Sequence, residues 1–222
     1  MGGRAVGVGC AVAAVALAGC GGGGKSSSSS TTPPATTAAS GSTTGGTPVL
    51  PAGTPAALRS VHGPLLVAGE LPGLAPRGQA MLSTSAQSFV AEFPPTQRST
   101  EEARVKALGF LAAVSQPLSA TPGHKGEGVS LVELYRTSKG ARGEVAGELK
   151  QATGRGESAF SVAGIPGARG FGFNGSSGPN ANVGFAVGPE YYLVGFQATP
   201  TGGPTRAQLI AAAQSLYRRV RG

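Results

Sequence analysis

Between Gly21 and Pro48 the chain reads GGGGKSSSSSTTPPATTAASGSTTGGTP, with Lys25 as its one charge. Such a tract has no periodic apolar pattern and buries too little to offset its ordering entropy. Any hydrophobic core must come from the residues C-terminal to it, and the segment N-terminal to it is a separate device. The chain therefore divides into a leader, residues 1–19, a flexible Gly/Ser/Thr/Pro linker, residues 20–50, and one folding unit, residues 51–222. As a random coil, residues 21–47 have an r.m.s. reach of roughly 25–30 Å. Fully extended they span about 90 Å.

The leader has the anatomy of an export signal. Arg4 supplies a short positive start, and Ala5 to Ala18 is an uncharged run too short to span a bilayer. It ends in Leu17-Ala18-Gly19-Cys20. These four residues resemble the lipobox of bacterial lipoproteins, over the first twenty residues of the chain. The resemblance implies cleavage before Cys20, a diacylglyceryl group on its thiol and a further acyl chain on the new amino terminus. Two chains hold a protein on a membrane where one is marginal, because each buried methylene contributes about 0.8 kcal/mol. It implies a cell-membrane location on the extracytoplasmic side, with the linker as leash.

Cys10 and Cys20 are the two cysteines. The first leaves with the leader and the second is the expected lipid attachment site. The folding unit then has no thiol and no disulfide, so it stands on its core alone, and thiolate–metal and thiol-enzyme chemistry are excluded. All ten acidic residues are glutamate, which removes the usual ligands of Ca²⁺ loops and the usual orienting acid of a Ser-His-Asp triad. The formal charge is +8, which loss of Arg4 lowers by one. That balance permits contact with anionic surfaces. Nucleic acid is not expected as a partner, because no basic stripe carries interleaved aromatics.

Within the folding unit, Pro64 to Leu74 reads as proline-broken loop after a short helix near 55–61. A brief helix is expected over Ser85 to Phe93. Ser99 and Glu102 form a capping-box pattern that would open a helix ending near Leu108, with Gly109 beyond it. Phe110 to Val114 and Gly128 to Thr137 read as strands, the second by strict alternation. Ala141, Val145, Leu149 and Ala152 make a helical stripe over Ser138 to Ala152, weakened by Gly140, Gly143 and Gly147. Further strands flank the turn at Gly164 to Gly167. Asn182 to Val187 and Tyr191 to Gln197 flank Gly188-Pro189-Glu190 as a hairpin. Thr205 and Gln208 cap a last helix with Leu209, Ile210, Ala213, Leu216, Tyr217 and Val220 on one face. The order argues for an α+β fold: an antiparallel sheet with helices packed on one face and a C-terminal amphipathic helix. With its excess of arginine over lysine, the pattern is similar to small extracytoplasmic lipoprotein domains of high-GC Gram-positive bacteria.

Few residues carry catalytic promise. Gly19 to Ser26 has Walker-A spacing but lacks the flanking strand and helix. Gly175-Ser176-Ser177-Gly178 is one residue short of a nucleophile elbow. His62 and His124 are the two imidazoles, without close-spaced metal ligands. Glu144 and Glu148 share a helical face and read as solvated charges. Gly170 and Gly172 would leave a bare strip of sheet beside Phe171 and Phe173, able to floor an apolar cleft or receive a packed helix. Of Tyr191 and Tyr192, at most one should face the core. No cofactor, metal or catalytic residue is expected. Together these features point to a non-enzymatic, lipid-anchored binding or sensing domain whose ligand the sequence does not identify, an apolar ligand and an anionic envelope polymer both being candidates. The alternatives are an accessory envelope protein that holds an anionic polymer or a membrane partner and, third, a Ser/His hydrolase.

Overall fold

A computed structural model describes residues 52–59, 65, 66, 68–176 and 178–222. The leader, Cys20, the linker and His62 lie outside the described residues. The elements run α1 (Ala56–Arg59), β1 (Leu74–Pro76), β2 (Met81–Ser83), α2 (Ala86–Val90), α3 (Pro95–Leu108), β3 (Phe110–Ala120) and β4 (Glu127–Tyr135), then α4 (Ser138–Gly154), β5 (Ser158–Phe160), β6 (Arg169–Gly175), β7 (Gly178–Val187), β8 (Glu190–Gln197) and α5 (Arg206–Arg221). The fold is α+β. Its eight strands form one antiparallel sheet in the order β1-β3-β4-β8-β7-β6-β5, and β2 pairs further along the same edge of β3.

The two-residue period of the strands sorts the core into two layers. Val132 and Leu134 on β4 and Tyr192, Val194 and Phe196 on β8 pack with Leu209 and Leu216 of α5 and Leu58 of α1. Their neighbours Val129, Leu131 and Tyr135, with Tyr191 and Leu193, pack with Phe89, Val105, Ala141 and Val145 of α2, α3 and α4. Three helices thus share one face, while α5 and the entry segment close the other. Because both faces are covered, β8 is buried from Glu190 to Phe196. Tyr191 and Tyr192 are therefore both inside, on opposite faces, which corrects the expectation that at most one faces the core.

Helix α3 begins a turn before the Ser99 pattern. Pro94 is the cap residue and Pro95 stands in the first turn, where its fixed φ and missing N–H suit a helix start. Gly109 ends the helix at φ +83°, donating its N–H to Val105 and Lys106 carbonyls, a left-handed cap that glycine adopts without strain. Thr137 caps α4 through Gly140 N–H. Thr205 and Gln208 form the expected capping box on α5. β1 begins at the end of the segment that reads as loop and β2 follows it without a sequence signal; at three residues each, they are too short for periodicity to show.

Candidate functional site

The glycines of α4 decide how close its neighbour lies. A Cβ on Gly140 would overlap the Leu108 carbonyl oxygen, one on Gly143 would sit 2.6 Å from Leu108 Cδ2, and one on Gly147 would sit 3.0 Å from Arg104 Nη1. These glycines therefore admit α3, and Gly140 also lies against Tyr135 of the sheet. The space above Gly147 is filled by the Arg104 guanidinium.

Arg104 gathers three carboxylates. Its Nε donates to Glu101 Oε2 at 2.8 Å, its Nη1 to Glu144 Oε2 at 2.5 Å and its Nη2 to Glu148 Oε1 at 3.1 Å. Beneath them, on β4, Tyr135 Oη donates to Glu133 Oε2 at 2.5 Å. The Glu144 side chain is 1% exposed and that of Glu148 16%. They are buried ligands of one guanidinium, which corrects the reading as solvated charges. Glu144 Oε1 and Tyr191 Oη are buried and lack a hydrogen-bond partner.

Four carboxyl groups against one guanidinium raise the proton affinity of the cluster. Burial pushes Glu133 well above the usual carboxylate range, and the Glu144 charge adds to it. Burial and then Glu144 push Glu148 up to about 8, with Arg104 opposing. Burial works against the Arg104 charge, but Glu144, Glu148 and Glu101 outweigh it and hold the guanidinium above its ordinary value. Tyr135 and Tyr191 are raised, first by burial and then by the neighbouring carboxylates. A protonated carboxyl can donate a hydrogen bond, and the orphaned Glu144 Oε1 is an acceptor for one. The inner part of the cluster is closed to solvent, with Glu133 2% and Glu144 0% exposed, while Arg104 and Glu148 form its half-buried outer part. It can hold protons and fasten α3 and α4 to the sheet, but it offers no access to a substrate. Among the described residues no group of three or more His, Cys or acidic side chains could hold a metal ion.

One row along the same sheet face the chemistry changes. Glu133 pairs with Tyr191 across β4 and β8, and the next inward-facing pair is Leu131 with Leu193. Over that pair the chain leaves a pocket of about 170 Å³, with Phe89, Phe93, Val129, Leu131 and Leu193 among its lining residues. Its roof is α2, five residues long, and one wall is β2, three residues long. Ser83, Ser88 and Glu92 supply polar groups to the lining. Comparison with family models, curated proteins and solved structures finds no match.

The remaining candidates from the sequence do not converge on this face. His124 sits exposed in the β3–β4 turn, its Nδ1 3.1 Å from Thr121 Oγ1 and 3.3 Å from the Pro122 carbonyl oxygen. These contacts hold a turn, and no serine is among them. Ser176 lies in the β6–β7 turn. The strip bared by Gly170 is occupied by the Phe160 ring, over which Arg206 stacks with its guanidinium carbon 4.5 Å from the centroid. Sequence reasoning missed Arg104, Glu133 and Tyr135. The available signal was Glu133 itself, a charged residue in an inward-facing row with Val129 and Leu131.

Proposed function

We propose that this chain is a lipid-anchored extracytoplasmic binding domain, tethered through Cys20, that takes an apolar group beneath α2. The observation that carries the reading is the partly open apolar pocket bounded by Phe89, Phe93, Leu131 and Leu193. Ligand sites are typically apolar concavities with a few polar groups that fix orientation, and most are about 300–1,000 Å³. A pocket of about 170 Å³ is smaller, so it suits one end of a ligand, such as a ring or a short acyl segment, with the remainder outside. The short β2–α2 segment that covers it is edge structure, of the kind that opens at low free-energy cost.

The test is an NMR titration of the full chain with benzene and with a short-chain alcohol. Saturable shifts of the Leu131 and Leu193 methyl resonances are expected, and Ala113→Leu, which fills the pocket from β3, should abolish them. Shifts that never saturate, or that persist in Ala113→Leu, would remove the ligand-binding reading. The accessory-protein alternative draws on a different observation, the distribution of charge over the surface.

A further inference from the structure

The burial of acids has a consequence at the surface. Among the described residues, twelve lysine and arginine side chains are exposed, against two exposed glutamates, Glu92 and Glu127. The other acids are buried or half-buried, four of them around Arg104. The exposed face therefore carries most of the cations and few of the acids, and its balance of twelve to two is slightly more positive than the formal +8.

Helix α4 shows this most sharply. Glu144 and Glu148 turn inward to Arg104, while Lys139, Arg142 and Lys150 are exposed. Their spacing of three and eight residues puts them on one stripe, opposite the carboxylates. Arg136 is exposed just before the helix. Across a groove of about 480 Å³ stands Arg169, also exposed; Arg142 forms the near rim, and Val145, Leu149 and Pro166 are among the lining residues. At the Arg136 end lies Leu111, 41% exposed, the exposed large hydrophobic side chain of the described residues. It sits where the β3–β4 register shifts between Phe110 and Ala112, an irregularity that leaves it outside the ladder. Glu127 is at the far end of β4, nine residues from Arg136 and about 30 Å away.

We propose that the outward face of α4, with the Arg142–Arg169 groove, is a docking surface for anionic phospholipid headgroups. Guanidinium forks on the rim match phosphodiester oxygens. The apolar floor suits the glycerol and first methylenes below them. A soluble phosphate polymer would use the rim but not the floor. The inference rests on the membrane-tethered reading proposed for Cys20, because the linker supplies the high local concentration that makes a weak surface contact effective.

The experiment is flotation of the full chain with vesicles of pure phosphatidylcholine and with vesicles containing one-third phosphatidylglycerol, at low and high salt. Binding to the neutral vesicles reports the anchor; the phosphatidylglycerol increment reports the docking face. The increment should be suppressed by salt. It should fall by about tenfold or more in Lys139→Glu/Arg142→Glu/Arg169→Glu, with neutral-vesicle binding unchanged. Hydrogen exchange of wild-type chain should show protection of residues 139–150 with phosphatidylglycerol vesicles, a readout that needs no variant. An increment that is absent, or intact in the charge-reversed chain, overturns the proposal. Binding to soluble polyphosphate without a phosphatidylglycerol increment overturns it in favour of an envelope polymer. Loss of neutral-vesicle binding alone strikes the anchor and leaves the docking face standing.

Discussion

Arg104 Nη1 lies 2.5 Å from Glu144 Oε2, a hydrogen bond between residues forty apart in sequence that joins α3 to α4. It can form because Gly147 leaves room for the guanidinium. Removing the cation would leave Glu144 in the interior without its counter-charge. Breaking a buried pair from one side typically costs about 3–5 kcal/mol. Arg104→Met should therefore lower the unfolding free energy at neutral pH by about that amount in urea titrations. Adding Glu144→Gln should restore part of the loss. A single variant as stable as wild type would show that Arg104 contributes little.

The same cluster sets the pH dependence. Glu148 and Glu133 have folded pKa values above the ordinary 4.5, Glu148 at about 8. Glu190 on the other face is raised as well, by burial. The folded state thus binds more protons than the unfolded chain between about pH 4.5 and 8, and stability falls as pH rises through that window. The slope should be on the order of 1 kcal/mol per pH unit. Denaturant midpoints at pH 5, 6.5 and 8 should decline in that order, and Glu148→Gln should flatten the decline. Midpoints that rise over this range would contradict the proton-holding cluster.

Glycines in α4 divide by what surrounds them. Gly140 meets the Leu108 carbonyl and the Tyr135 ring, whereas Gly154 has nothing within 4 Å. Gly140→Ala gains about 1 kcal/mol in helix propensity, yet the forced separation of α3 and α4 should cost about 1–3 kcal/mol more than that gain. Gly154→Ala should stabilise by up to about 1 kcal/mol. Thermal unfolding of the two variants should shift in opposite directions.

Much of this architecture is legible before any coordinates. The C-terminal helix announces itself twice, by Thr205 with Gln208 and by its Leu209–Leu216–Val220 face. β8 and β7 read as a hairpin because Val183, Phe185, Tyr192 and Val194 alternate with a second set, and that second set, which includes Asn182, Tyr191 and Leu193, is buried too because both faces are covered. The polar cluster is hidden for a physical reason. Glu144 and Glu148, four apart, look like surface charges until the helix is docked, and nothing local in the sequence says that Arg104 will meet them. The pocket is hidden likewise, since Phe89 on α2 and Leu193 on β8 meet only through the sheet topology.

The anchor can be tested by changing one atom's chemistry. If Cys20 carries the lipid, Cys20→Ala removes the acceptor sulfur and leaves every described residue untouched. The full chain should then appear in the medium or remain unprocessed, and a thioether-linked diacylglycerol mass should vanish from its amino-terminal peptide. The expected loss of membrane partition is large, since two acyl chains bury tens of methylenes at about 0.8 kcal/mol each. The docking proposed for the cationic face of α4 would add only a weak second attachment, which salt should remove. Fractionation in high salt therefore isolates the anchor. Cys20→Ala chain that stays membrane-bound at the processed size under those conditions would show that something other than this sulfur holds the protein in place.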